Sequence, residues 1–415
     1  MGFFRKIKNI LVQKEAKVLI ENFLSLSTLQ LVNMVLPLIT LPYVIRVLGF
    51  SNYGMVVLAA ALVAYFMPIA DYSFKITATR DVSVSRNSVK KLSLIYSKVM
   101  SLKLLFVIIS TLLISLIVVL YPPFYDEKVV FFLSILLLFG HSLFPEWFFQ
   151  GIEKMKYIAF LNFGIKLFFT ISVFVFITKA EDYWVYPLLQ GIGFIVAGLA
   201  GQYMLIKKYK LKFYFLKRKY LLDAIKDNFP IFVNQFFPTL YNNTNTFLLG
   251  IFTTVSLVGI YDAIKKVVDV CVMLVSIISR VFFPFLNRKR DSFGKFNTMM
   301  LSIGLILSVL PLFFSKVIFW YLNVDHEYAF TVLCLLSLSI FGYTLYTIYG
   351  LNYFIVQRKD KLVMNNTIIS SLLAFGLAFP LIFYFDIIGA AINLLIARFL
   401  MGGYLWYKWQ FHEKH

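Results

Sequence analysis

Residues 207–226 read KKYKLKFYFLKRKYLLDAIK, in which Lys207, Lys208, Lys210, Lys212, Lys217, Arg218, Lys219 and Lys226 face a single acid, Asp223. Long apolar runs lie on both sides. A segment this cationic stays out of hydrocarbon, and the bias of cytoplasmic loops toward Lys and Arg places it inside the cell. Its apolar interruptions, Phe213, Tyr214, Phe215, Leu216, Tyr220, Leu221 and Leu222, fit a plain loop or a stretch resting on the headgroups with its lysines on anionic lipid. Either way it marks the cytoplasmic side, from which the other segments are counted.

The composition agrees with a chain built for lipid. Of 415 residues, 60% are hydrophobic, 18% aromatic and only 14% charged, and the mean hydropathy is +0.81. A soluble core cannot absorb so much apolar surface, and the length allows many spans. The formal charge of +20 does not point to nucleic acid, because the cations punctuate apolar runs and form no basic face on a soluble fold. Cys271 and Cys334 each fall inside an apolar run, and the four histidines, His141, His326, His412 and His415, lack zinc-ligand spacing, so neither a disulfide nor a metal site is expected. The amino terminus, MGFFRKIKNILVQKEAK, is basic and amphipathic without a small-residue cleavage site, which reads as a retained surface segment.

Twelve apolar segments, at about 23–45, 52–74, 99–121, 129–150, 158–178, 184–206, 228–250, 257–279, 296–320, 329–351, 362–385 and 387–407, each approach the roughly 20 residues a helix needs to cross a bilayer. Spans must be helical because lipid offers the backbone no hydrogen-bond partners, and the alternating pattern of an outer-membrane barrel is absent. With both termini in the cytoplasm, 31 of the 40 cations fall in cytoplasmic segments. Losing or adding one helix would scramble that asymmetry.

The two halves read as copies of one six-helix unit. Leu48-Gly49 followed by Tyr53-Gly54 is echoed by Leu249-Gly250 followed by Gly259-Ile260-Tyr261. The expected fold is therefore an all-α polytopic membrane protein with twelve transmembrane helices in two pseudo-symmetric six-helix lobes around a central cavity. The lobes are 1–206 and 228–415, joined by the basic connector 207–227. Six spans apiece give both halves the same orientation.

The opening Asn33-Met34-Val35-Leu36-Pro37-Leu38, then Leu41-Pro42-Tyr43 and Arg46-Val47-Leu48-Gly49 with Tyr53-Gly54, resembles that of the Wzx-type O-antigen and polysaccharide-repeat-unit flippases of the multidrug/oligosaccharidyl-lipid/polysaccharide exporter superfamily, whose fold is MATE-like. Asp71, Thr79-Arg80, Pro145-Glu146-Trp147-Phe148-Phe149-Gln150-Gly151 with Glu153-Lys154-Met155, Val258-Gly259-Ile260-Tyr261-Asp262-Ala263, Phe283-Pro284 and Gly389-Ala390-Ala391 are similar to theirs as well. The resemblance implies a transporter in the bacterial inner membrane. It would move undecaprenyl-pyrophosphate-linked oligosaccharide from the cytoplasmic to the periplasmic leaflet, beside a glycan polymerase and a chain-length regulator.

Several polar side chains inside the spans suit that task, since charges and unpaired hydroxyls cross hydrocarbon only along a polar path. Asp262, Lys265, Lys266 and Asp269 advance by three, four and seven residues, so all lie on one helical stripe. At about 2.5–3.5 kcal/mol per charge, such a stripe should avoid lipid. It faces either a lumen or an internal ion-pair network. Lys166, with Asn162 and Thr170 on the same face, and Arg398 lie deep in the fifth and twelfth spans as candidate pyrophosphate ligands. Lys103, near the end of its span, is expected to snorkel. Asn234, Tyr241, Asn242 and Asn245 share a face with Pro238 and suit sugar hydroxyls or interhelical bonds equally. Arg46 and Arg80 are headgroup candidates. Asp71, Glu146, Asp262 and Asp269 are coupling or gating candidates, Pro37 and Pro42 would bend the first helix, and His141 suits a structural role.

No GxxxxGK[ST] loop is present, so no nucleotide cofactor is expected, although proton or sodium coupling stays open. A multidrug or cation antiporter is the rival within transport, but intramembrane cations suit cationic cargo poorly. A glycan polymerase or glycosyltransferase is the rival among enzymes, and it would need a larger soluble loop than any here.

Overall fold

The computed structural model describes the backbone from Gly2 to His412 and the side chains of Val32 and of Val35–Phe411. The surface-segment reading of residues 1–17, and His412 and His415, fall outside the described side chains.

The chain is helical, with no strand among the described residues. In order, it forms α1 (Gly2–Asp71), α2 (Phe74–Ser85), α3 (Val89–Leu120), α4 (Pro122–Asp126), α5 (Lys128–Leu143), α6 (Glu146–Gly151), α7 (Met155–Phe176) and α8 (Val185–Lys207). There follow α9 (Arg218–Phe252), α10 (Val255–Arg288), α11 (Phe293–Phe313), α12 (Ser315–Leu322), α13 (Ala329–Leu345), a π-helical stretch (Tyr346–Phe354) and α14 (Asp360–His412). Among the described residues, nine helical stretches are long and apolar enough to cross a membrane. Two of them, Val35–Ser85 and Asp360–Phe411, exceed 50 residues, longer than one crossing requires.

Breaks inside these long stretches have local causes. Within α1 the backbone leaves helical geometry at Gly49, with φ 73°, a left-handed conformation that glycine adopts without penalty. The helix continues through Pro37 and Pro42, so Gly49 turns the chain between the first two apolar segments. Asp386, at φ 47°, interrupts α14. The fourth apolar segment, expected as one helix over 129–150, divides because Phe144 is extended (ψ 114°) before Pro145, as the ring of a following proline demands.

The chain packs into two compact units. The first comprises the chain up to Pro37, Phe66–Phe176 and Trp184–Phe232; the second comprises Leu38–Tyr65, Ile177–Tyr183 and Val233–His415. In the first unit, Trp147, Phe148 and Phe149 are almost fully buried among Phe74, Ala78 and Val82. A Cβ on Gly151 would stand 2.5 Å from Val82 Cγ1, so glycine there lets α6 lie on α2. The basic connector binds this unit too: the backbone N–H groups of Lys212 and Tyr214 donate to Ser93 Oγ (3.1 Å) and Ser97 Oγ (2.9 Å) of α3.

Close helix contact also builds the second unit. A Cβ on Gly54 would meet the Val255 carbonyl oxygen at 1.8 Å, and one on Gly259 would meet that of Phe50 at 2.5 Å. The two echoed glycine motifs therefore pack against each other, backbone to backbone. Lipid supplies no hydrophobic drive between helices, so such small-residue contacts carry much of the association. Asp386 turns α14 back on itself, with Gly389 against the Leu381 carbonyl and Ala390 and Ala391 fully buried.

Candidate functional site

The stripe on α10 forms two ion-pair groups in the second unit. Lys266 Nζ lies 2.9 Å from Asp262 Oδ2 and donates to the Tyr53 hydroxyl at 2.6 Å, which in turn donates to Asp262 Oδ2 at 2.5 Å. Tyr53 is fully buried, and it reaches the stripe because Gly54 and Gly259 allow close approach. One turn on, Lys265 Nζ pairs with Asp269 Oδ2 at 2.5 Å, and Arg398 of α14 approaches Asp269 Oδ1 at 3.3 Å. Arg398 also donates to Ser339 Oγ of α13 at 2.9 Å and lies over the Tyr343 ring at 5.8 Å.

The five ionisable side chains carry three cations and two carboxylates, a formal sum of +1. Arg398 is 6% exposed at its side chain, whereas Asp269 and Lys266 keep 36% and 35%. Arg398 is thus a buried anchor, while Lys266 and Asp269 stay partly accessible. An ion-pair network exists, and the stripe keeps an open edge.

A second charged group lies in the first unit. Lys103 is buried, 3% exposed at its side chain, and pairs with Asp71 at 2.8 Å. This corrects the snorkelling expected for it. Its depth in sequence suggested an easy route to the surface, but a carboxylate at the end of α1 lies nearer. The backbone N–H of Lys75 donates to Asp71 Oδ2 at 3.2 Å. Lys75 Nζ lies 3.0 Å from Glu146 Oε2, and Gln150 steadies Glu146 through a 3.0 Å bond. Thr79 Oγ1 donates to the Trp147 carbonyl at 3.1 Å. The Asp71, Thr79 and Pro145–Gly151 motifs therefore meet in one place. His141 stacks on Phe194 with centroids 4.1 Å apart.

The remaining candidates divide. Asn245 is 1% exposed and accepts a 2.6 Å bond from Asn393 of α14, which makes it an interhelical tie. Asn234 and Asn242 are exposed and Tyr241 is half-buried. Lys166 is half-buried on α7, and Arg46 is exposed on α1. Arg80 is 70% exposed at its side chain, 3.8 Å from Asp81, and shares a shallow hollow with Lys91. Sequence reasoning gave no role to Tyr53, Ser339 or Tyr343. For Tyr53 a signal existed, in the glycine that follows it and the matching Gly259.

Comparison with known proteins fits these motifs. Residues 19–290 match the family model described as "Polysaccharide biosynthesis protein". The chain belongs to that family. Among curated relatives of this polysaccharide biosynthesis protein is the "Putative O-antigen transporter" of Escherichia coli (strain K12), 25% identical over 389 residues, covering 92% of this chain and 94% of the relative. The protein of the same name from Shigella dysenteriae is likewise 25% identical, with 92% and 97% covered. Among solved structures, lipid II flippase MurJ in an inward closed conformation aligns with a TM-score of 0.72 at 16% identity, covering 94% of this chain and 87% of its own. An inward-facing multidrug resistance MATE transporter of the MOP superfamily aligns with a TM-score of 0.69 at 13% identity, covering 91% and 94%. The fold of this family member is thus shared with transporters of that superfamily. With nine helical stretches among the described residues long and apolar enough to cross a membrane, it is a multi-pass membrane protein.

Proposed function

We propose that this protein flips undecaprenyl-pyrophosphate-linked oligosaccharide repeat units from the cytoplasmic to the periplasmic leaflet of the bacterial inner membrane by alternating access. Counting each over-long stretch as two spans and α9 as one gives twelve helices. They would form two six-helix lobes, 1–206 and 228–415, with the connector 207–227 and both termini in the cytoplasm. Glycan polymerase and chain-length regulator are the partners this pathway would supply.

The observation that carries the reading is the shared carboxylate, Asp269, held by both Lys265 and Arg398. Asp269 is the resident counter-ion of two cations. An arriving pyrophosphate oxygen is a stronger partner for a guanidinium and an ammonium, because charge-assisted, bidentate bonds to phosphate are short and directional. The headgroup displaces Asp269, whose return on the far side releases it. A displaced carboxylate is also a ready proton acceptor, which gives ion coupling a route. Lys166 in the first unit and Arg46 and Arg80 near helix ends would supply further headgroup contacts. Asn234, Tyr241 and Asn242 would meet the sugars, and Pro37 and Pro42 would ease bending of the first helix. Outward movement of pyrophosphate runs with an inside-negative potential, worth about 2.3 kcal/mol per charge per 100 mV.

A cation antiporter would need a carboxylate open to cationic cargo. Here Asp262 and Asp269 both hold resident lysines, which argues for the anionic cargo. The test is a proteoliposome assay with labelled lipid-linked oligosaccharide, scoring its accessibility in the outer leaflet. Lys265→Ala and Arg398→Ala should each cut flipping at least tenfold while insertion persists. Wild-type flipping in both variants would refute the counter-ion reading.

A further inference from the structure

The basic connector has no part in either charged group, and it is held in one place. After α8 ends at Lys207, residues 210–217 have no regular structure, yet Leu211 is buried and its N–H donates to the Leu205 carbonyl at 3.1 Å. The N–H groups of Lys212 and Tyr214 reach Ser93 and Ser97 in the first turns of α3, and the Phe213 ring stands edge-on to Tyr96 with centroids 6.4 Å apart. Helix α3 therefore sets the height of the connector. Ser97 precedes the third apolar segment by two residues, about 3 Å of helix. Residues 213–215 thus run along the boundary where hydrocarbon gives way to headgroups.

We infer that this pinned connector anchors the first unit to acidic phospholipid, with Phe213 and Phe215 in the headgroup layer and the neighbouring cations on the phosphodiesters of lipids such as phosphatidylglycerol. Phe215 is 97% exposed and Phe213 47%, and their rings meet edge to face at 5.5 Å, so the two present one apolar knob. At that height an exposed knob meets lipid, and aromatic rings favour the headgroup level. Around it, residues 207–219 carry seven cations and no acid. Among the described residues, none of the seven pairs with a carboxylate. Lys208 is spent on the Tyr157 hydroxyl at 2.5 Å, while Lys212, Lys217, Arg218 and Lys219 are exposed. A cationic cluster beside a span, with no resident counter-ion, draws acidic headgroups from the leaflet. Depth and charge identify the partner together: rings alone would accept any lipid, and cations alone any polyanion. Because backbone N–H groups hold the connector on α3, its lysine ammoniums stay available for phosphate. The assignment is independent of the transport reading.

The test places an environment-sensitive dye on the thiol of Phe215→Cys in the full chain, with Cys271→Ala and Cys334→Ala removing the native thiols. The labelled protein is reconstituted in vesicles of phosphatidylcholine alone, or of phosphatidylcholine and phosphatidylglycerol in equal parts. Emission should move to the blue only where phosphatidylglycerol is present, be quenched there by a nitroxide lipid labelled near its headgroup, and return toward the aqueous value in high salt. Combining Lys212→Gln, Lys217→Gln and Lys219→Gln should remove at least half of the shift, with helicity and thermal midpoint unchanged from the labelled parent. Aqueous emission in both kinds of vesicle would overturn the anchor and leave the connector to a water-borne partner. A blue shift of equal size in both, untouched by the lysine substitutions, would overturn the acidic-lipid assignment, since the rings alone would account for it. Inorganic phosphate at millimolar concentration should change nothing in phosphatidylcholine vesicles. A shift there would assign the cations to a soluble anion and overturn the lipid source.

Discussion

The charged groups of the two units both set lysines against carboxylates and balance differently. In the first unit Lys103 and Asp71, then Lys75 and Glu146, alternate and cancel. In the second unit three cations share two carboxylates, and Asp269 serves two of them at once. A one-to-one pair is a latch: removing either partner strands the other. A shared carboxylate is an exchange point, because losing one cation leaves it paired and an incoming anion can take over either cation. The first arrangement favours fixed packing and the second favours traffic.

The largest effect on stability should come from breaking the latch. Lys103→Met removes the buried cation of Asp71 and leaves that part-exposed carboxylate only its bond from the Lys75 N–H, so the cost should approach but not exceed the roughly 3–5 kcal/mol of a broken buried pair. Thermal unfolding in detergent should show a much lower midpoint and poor extraction yield. Adding Asp71→Leu, which removes the stranded charge, should restore most of the stability. If the double variant is no better than the single, the pair is not a latch.

Arg398→Gln in the second unit should have the opposite signature. Asp269 keeps Lys265, so the thermal midpoint should fall far less than for Lys103→Met, while flipping in proteoliposomes drops at least tenfold. Combining it with Asp269→Leu should not rescue flipping. A rescued double variant would reduce the exchange point to another latch and erase the distinction between the units.

How much of this was visible in the chain itself follows physical lines. Helix spans, their cytoplasmic punctuation and the α10 stripe are local properties, carried by runs of apolar residues and by a spacing of three and four. Asp262 with Lys266, and Lys265 with Asp269, were therefore legible. Pairings between distant elements were not. Nothing near Lys103 announces Asp71, 32 positions earlier, so its depth alone suggested snorkelling. Tyr53 was half-legible: the glycines beside it and at 259 were visible as an echo, but not that they pack on each other.

That packing gives the next prediction in size. On Gly54 a Cβ would stand 1.8 Å from the Val255 carbonyl, and forcing helices apart by overpacking costs about 1–3 kcal/mol. Gly54→Ala should therefore shift α10 from Tyr53 and slow flipping several-fold, with a modest drop in thermal midpoint. Tyr53→Phe keeps the ring and removes only the hydroxyl that bridges Asp262 and Lys266. The two ions remain paired at 2.9 Å, so the loss should stay near the worth of a hydrogen bond to a charged group, about 1.5–3 kcal/mol. If Tyr53→Phe slows flipping as much as Gly54→Ala, the glycine contact matters only for aiming that hydroxyl.

The smallest effect should separate two asparagines of one helix, both sugar-contact candidates by their spacing. Asn245 is tied to Asn393, and Asn245→Ala would orphan that partner at about 1–3 kcal/mol. Asn242, three residues earlier, is exposed. Asn242→Ala should leave the thermal midpoint within the scatter of surface substitutions, about 0.5 kcal/mol, yet weaken apparent affinity for lipid-linked oligosaccharide a few-fold. The decisive comparison uses a carrier lipid bearing one sugar. If Asn242 contacts the glycan beyond the first residue, that shortened substrate should not distinguish the variant from wild type, because the lost bond was never made. Equal weakening with both substrates would move Asn242 toward the pyrophosphate, and no weakening with either would remove it from the substrate path.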